Sequence, residues 1–232
     1  MPYYYGFDWT YLVIVLPCIL LSMWASSSVN STFQKYAKVN SIRRLTGAEA
    51  AQRVLSANGV RGVRIERVSG NLTDHYDPKT NVIRLSDSVH SSTSVAAIGV
   101  AAHEAGHAVQ HAVNYKPIRI REMIIPVTQI GSWLYLPILL IGVIFSSQGL
   151  VNAGILLFST LAIFQLVTLP VEFDASDRAI KTLSASGILY GEEIDGAKKV
   201  LRAAALTYVA ALVSSLAQLL RLILIFGGRR RD

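Results

Sequence analysis

Four apolar runs constrain this chain more than any other feature. They cover residues 9–25 (extended by small residues to 29), 124–145, 150–170 and 203–226. A bilayer core of about 30 Å is crossed by about 20 helical residues. In lipid, backbone polar groups must be satisfied internally, so each run is expected as a helix. The second and third runs are separated only by the uncharged Ser146-Ser147-Gln148-Gly149, the pattern of a transmembrane hairpin. Asp8 is the only charge before the first run, Pro17 lies within it, and no convincing small-x-small cleavage site follows. That favours an uncleaved anchor over a signal peptide. Hydrophobic residues make up 52% of the 232, and charged residues only 16%. An average soluble domain is about a quarter charged. The balance argues against a purely soluble protein and against disorder, which needs low hydrophobicity and high charge.

Charge placement suggests an orientation. Lys and Arg number 22 and Asp and Glu 15, a net charge of +7. Thirteen of the basic residues lie in 30–123 and five in 170–204, with none before the first run or in the hairpin turn. By the positive-inside rule, the N-terminus and hairpin turn face out and both longer polar segments face the cytoplasm. The fourth run strains this pattern: if it spans, the arginine-rich tail ends outside and Arg221 must snorkel. The expected layout is an anchor (1–29), a cytoplasmic part (30–123), a hairpin (124–170), cytoplasmic helices (171–202) and a C-terminal apolar helix with a basic tail (203–232). The basic residues lack aromatic interleaving, so no nucleic-acid partner is expected. The single cysteine, Cys18, excludes an internal disulfide and a thiolate metal cluster.

The cytoplasmic part has a readable order. Thr46-Gly47-Ala48-Glu49 is a capping-box pattern opening a helix over 48–57. Three β-like pieces follow at 63–68, 73–76 and 82–85, separated by Gly70-Asn71 and Asp77-Pro78 turn signals. A helix is expected over about 94–113, capped by Ser92 or Thr93. Another starts near Glu172 and runs to about 184, and a last one starts near 191. The fold class is α+β, a predominantly helical multi-pass membrane protein with a small β-sheet.

The helix over 94–113 carries His103-Glu104-Ala105-Gly106-His107. Residues four apart share one helix face, so His103 and His107 can hold one Zn²⁺ together. Glu104 points toward a metal-bound water and can act as general base. Burying two histidines and a glutamate in an alanine-flanked helix is costly unless they are paired. Gly106 costs about 1 kcal/mol against alanine in a helix, which hints at a close backbone approach. A catalytic zinc needs a third protein ligand and one open position. A third histidine six residues after His107 is ruled out, because position 113 is valine. His111 reads as a supporting or surface residue, and His75 and His90 as loop histidines. Among the carboxylates, Glu122 sits in a basic stretch, and Glu192 and Glu193 suit a helix N-terminus. Glu172 is the best candidate, with Asp174 or Asp177 available to hold a ligand histidine's other nitrogen.

His-Glu-Ala-Gly-His-Ala, an apolar hairpin, then Val171-Glu172-Phe173-Asp174-Ala175-Ser176 together resemble the membrane-bound neutral zinc metallopeptidases of the YugP type. The stretches 196–201 and 205–210 extend the likeness over nearly the whole chain. The resemblance implies a zincin-like, gluzincin-type catalytic domain whose two metal motifs flank the hairpin. It also implies a Zn²⁺ cofactor, protein or peptide substrates, and a cell-membrane location. In similar families the third ligand is a Glu after a hairpin, often with an Asp four residues later. Here that position is Ser176, and Asp174 is the expected replacement.

A zinc peptidase would use His103, His107 and Glu172 as ligands and Glu104 as base. Tyr208, on a later helix, is the favoured oxyanion donor, ahead of Tyr190 and Arg178. The segment 81–86, with Asn81 and Ile83, is expected as an exposed edge strand that could pair with substrate backbone. Two other readings compete. An intramembrane site-2-type protease would place the motif inside a span. A zinc-containing adaptor would need no Glu104.

Overall fold

The computed structural model describes residues 9–226. Its helices are α1 (Leu16–Ala37, preceded by a π-helical turn at Tyr11–Val15), α2 (Gly47–Ala57), α3 (Asp87–His90), α4 (Val95–Ala112), α5 (Lys116–Ile144), α6 (Gln148–Ala185) and α7 (Glu192–Phe226). The strands are β1 (Arg64–Val68), β2 (His75–Asp77) and β3 (Val82–Ser86). A small sheet in a mainly helical chain matches the fold class read from the sequence. Among the described residues, four helices are long and apolar enough to cross a membrane: the one at Tyr11–Ala37, α5, α6 and α7. The residues group into two compact units.

One unit takes in the chain up to Ala25, Ile120–Thr168, and the chain from Thr207 on. Here α5 and α6 form the expected hairpin. A side chain at Gly142 would come within 2.6 Å of the Val151 backbone nitrogen, so the hairpin closes only around glycine. Lipid gives helices little hydrophobic reason to associate, and small residues that allow close backbone contact take over. Leu139, Phe158 and Leu222 form a buried cluster joining α5, α6 and α7. The hydroxyls of Ser22 and Ser214 lie 3.3 Å apart, a contact between α1 and α7. Arg221 stacks over the Tyr11 ring at 5.4 Å. Pro126 and Pro137 sit inside α5 without ending it, as membrane helices tolerate.

The other unit takes in Ser26–Arg119 and Leu169–Leu206. Its first helix, α2, opens with the expected capping box: Thr46 Oγ1 accepts the Glu49 N–H, and Glu49 accepts the Thr46 N–H. The α4 cap is Ser94, whose Oγ accepts the Ala97 N–H, and not Ser92 or Thr93. Ser92 instead donates to Ser94 Oγ, and Thr93 donates to Asn40 Oδ1. The helix expected to begin near Glu172 is also different: α6 runs unbroken through Pro170 to Ala185. An interior proline removes one backbone donor and crowds the carbonyl four residues before it, a cost that membrane helices tolerate because neighbouring groups satisfy the freed backbone.

The sheet corrects the substrate-edge expectation. Strand order is β1-β3-β2, with β1 parallel and β2 antiparallel to β3. The segment holding Ile83 is therefore the central strand, its backbone paired on both sides, and Ile83 is fully buried. It has no free edge to offer a substrate. Asn81 is a turn residue with φ 54°, a conformation asparagine tolerates better than most residues. Its side chain accepts from the Tyr76 hydroxyl at 2.8 Å and donates to Gly62 O at 3.1 Å. Both groups are committed to the fold.

At the centre of this unit, α4 is buried along nearly its whole length. Its many alanines leave room for neighbours on several sides. A Cβ on Gly106 would lie 2.5 Å from the Ala175 carbonyl oxygen of α6. Gly106→Ala should therefore lower the melting temperature. Its helix-propensity gain of about 1 kcal/mol is opposed by an overpacking cost of about 1–3 kcal/mol. Thermal unfolding in detergent checks this; a melting temperature at or above wild type would contradict the close approach.

Candidate metal centre

His103 and His107 stand one turn apart on α4, and α6 brings Glu172 to them across the Gly106–Ala175 contact. Their ligand atoms all lie within 4.8 Å of one another. Glu172 Oε2 is 3.3 Å from His103 Nε2 and 3.6 Å from His107 Nε2. Tetrahedral zinc with bonds of about 2.0–2.1 Å sets its ligand atoms about 3.4 Å apart. The spacing and the donor types, two imidazole nitrogens and one carboxylate oxygen, fit that ion. The setting is dry: Glu172 is 2% exposed and His107 9%.

The other ring nitrogens are held from behind. Ser176 Oγ lies 3.1 Å from His103 Nδ1. Gln110 Oε1 lies 3.0 Å from His107 Nδ1. The Gln110 Nε2 donates to Val171 O at 2.8 Å and to Asp174 Oδ2 at 2.8 Å. Arg178 Nε donates to the same Asp174 oxygen at 2.6 Å. Asp174 thus touches neither ring directly. The expectation that it replaces the residue at position 176 is corrected: Ser176 itself meets His103, and Asp174 reaches His107 only through Gln110. The physical reason is helical spacing, since Ser176 shares the Glu172 face of α6 four residues on.

Electrostatics follow from this closeness. Burial pushes the His107 imidazole down, but the neighbouring Glu172 and Glu104 carboxylates outweigh it and raise it above its ordinary value. Glu172 lies beyond the apolar segment 150–170. Burial alone would raise it, yet the His103 and His107 imidazoles beside it hold it below the usual carboxylate range. Glu104 is 8% exposed, and no hydrogen bond or ion pair engages its carboxylate among the described residues.

Several of the remaining candidates serve the fold. Glu193 accepts the Ile42 N–H at 2.6 Å and the Tyr190 N–H at 3.0 Å, a capping role at the start of α7. His111 packs its ring on Tyr76 at 5.4 Å. The His75 Nδ1 meets the Thr73 carbonyl. Glu122 and Tyr208 belong to the unit that holds Ile120–Thr168 and the chain from Thr207. Sequence reasoning passed over Gln110. Its signal was a lone amide three residues after His107, on the helix face that carries both histidines.

The sequence matches the family described as "Putative neutral zinc metallopeptidase" over residues 11–227. The chain belongs to this family. It is 45% identical over 222 residues to a Bacillus subtilis (strain 168) protein named "Putative membrane protease YugP", covering 96% of this chain and 99% of that relative. No solved structure matches it. Family membership and four apolar helices mark the chain as membrane-associated.

The raised His107 value sets a pH dependence. Metal binding needs unprotonated imidazoles. A raised value means protons begin to compete above the ordinary histidine range and win progressively as pH falls. Apparent zinc affinity, measured by competition with a chelator from pH 8 to pH 5, should fall with acidification. An affinity unchanged across that range would contradict the raised His107 value.

Proposed function

We propose that this chain is a membrane-bound, zinc-dependent endopeptidase. The observation that carries the reading is the meeting of His103 Nε2, His107 Nε2 and Glu172 Oε2 beside the buried Glu104. Three protein ligands leave a fourth position open, as catalytic zinc sites do and closed structural sites do not. That weighs against an adaptor. Among the described residues α4 is not one of the helices long and apolar enough to cross a membrane. That weighs against a site-2-type protease, whose motif lies in a span.

Zinc held here would supply Lewis acidity toward water and the scissile carbonyl. The chain's own part is acid–base work. The Glu104 carboxylate takes a proton from the attacking water and passes it to the departing amine nitrogen. The largely buried histidine pair and the dry surroundings strengthen these electrostatic interactions by excluding bulk water. The proposed substrates are peptide bonds in membrane or misfolded proteins, a reading supported by the apolar helices on the same chain and by the relative's name.

Detergent-purified wild type should cleave an unfolded protein such as casein. Glu104→Ala should keep its zinc and lose activity by at least about 10²-fold, the lower range for general base catalysis. Equal cleavage by both proteins would remove Glu104 from the mechanism. Absence of cleavage by wild type on casein and on membrane-protein substrates alike would sink the peptidase reading.

The site is proposed to face the cytoplasm, with all four apolar helices spanning. In a Cys18→Ser background, Gly149→Cys should react with an impermeant maleimide in intact cells. Ser91→Cys should react only after permeabilisation. The reverse pattern would invert the orientation.

A further inference from the structure

We infer that Gln110 is a positioning residue that fixes which nitrogen of His107 faces the metal, an inference that rests on the zinc reading above. The argument is one of donors and acceptors. Gln110 is fully buried, so water does not compete for its amide. One end of that amide lies 2.8 Å from Val171 O. A backbone carbonyl can only accept, so this end must be the NH₂ group. Its second hydrogen goes to Asp174 Oδ2 at 2.8 Å. That oxygen also receives Arg178 Nε at 2.6 Å. Arginine has donors only, so Asp174 Oδ2 is an acceptor on that side.

The amide's other end is then Oε1, which carries no hydrogen. It lies 3.0 Å from His107 Nδ1. The proton in that hydrogen bond must sit on Nδ1. A neutral imidazole with its hydrogen on Nδ1 presents its lone pair at Nε2. That is the atom 3.6 Å from Glu172 Oε2, on the metal-facing side. The chain Arg178–Asp174–Gln110–His107 therefore selects one tautomer. Its outer end is braced by the Arg178 guanidinium over the Tyr115 ring at 5.6 Å.

His103 is held differently. Its Nδ1 meets the Ser176 hydroxyl, which can donate or accept and so imposes neither tautomer. The two ligand histidines are unequal: one is locked by an amide with a forced orientation, and the other rests on a rotatable hydroxyl.

The test combines zinc affinity with a direct view of the proton. Zinc binding to wild type, Gln110→Leu and Ser176→Ala is measured by competition with a chelating dye, with no activity readout. Gln110→Leu should lose about 10–100-fold in affinity, the usual range for removing such a partner. Ser176→Ala should lose less. In parallel, ¹⁵N spectra of histidine-labelled, zinc-loaded protein are recorded with His75, His90 and His111 changed to glutamine. His107 should show a protonated Nδ1 and a zinc-bound Nε2. Unchanged affinity in Gln110→Leu, or a His107 whose Nδ1 is bare or metal-bound, overturns the inference. If Gln110→Leu fails to fold, the spectrum without that change still decides. Protein with the native Gln110 that takes up no zinc overturns the metal-site reading, and the inference with it. Protein that holds zinc through the other nitrogen overturns the positioning role alone.

Discussion

The candidate centre depends on how closely α4 and α6 approach. At Gly106 a methyl group would sit 2.5 Å from the Ala175 carbonyl oxygen. Closely packed interiors do not absorb such a group without moving their neighbours. The glycine lies one residue before His107, and Ala175 lies three after Glu172. The same backbone contact thus sets the distance between the two halves of the candidate metal site. The alanines along α4 extend that fit, because small side chains let several elements crowd one helix.

Once the helices are this close, polar groups on their facing sides must satisfy one another. Glu172 is nearly inaccessible and stands against two imidazoles. A buried charge is tolerated only when paired or metal-bound, so the histidines and the carboxylate depend on each other as much as on an ion. Behind them, Gln110 and Ser176 occupy the two Nδ1 atoms. Asp174 and Arg178 extend one side of the network toward the surface. The result is a site whose ligand orientation is built into the protein.

Much of this was legible in the sequence. The apolar runs, the hairpin, the capping box at Thr46 and the helix carrying His103 and His107 all emerged from local patterns. Glu172 was found as the third candidate by its place after the hairpin, though the expected helix start there does not exist. Pro170 looked like a boundary and proved to be an interior residue. The strand 82–86 was recognised, but its position in the sheet was not. Alternating residues show which face of a strand is buried and say nothing about which strands lie beside it. Asn81 and Ile83 therefore looked available to a substrate and are instead committed to the fold.

By itself the sequence determined that this chain has membrane-length helices and a helix placing two histidines and a glutamate within one turn. Hydrophobicity and helical period are short-range properties, carried by neighbours a few residues apart. Only the tertiary structure decided which groups hold the two Nδ1 atoms and which strand is central. Gln110 meets Val171 across 61 positions, and His103 meets Ser176 across 73. Such contacts arise from how closely two helices can pack, a property of their whole facing surfaces that no local pattern contains.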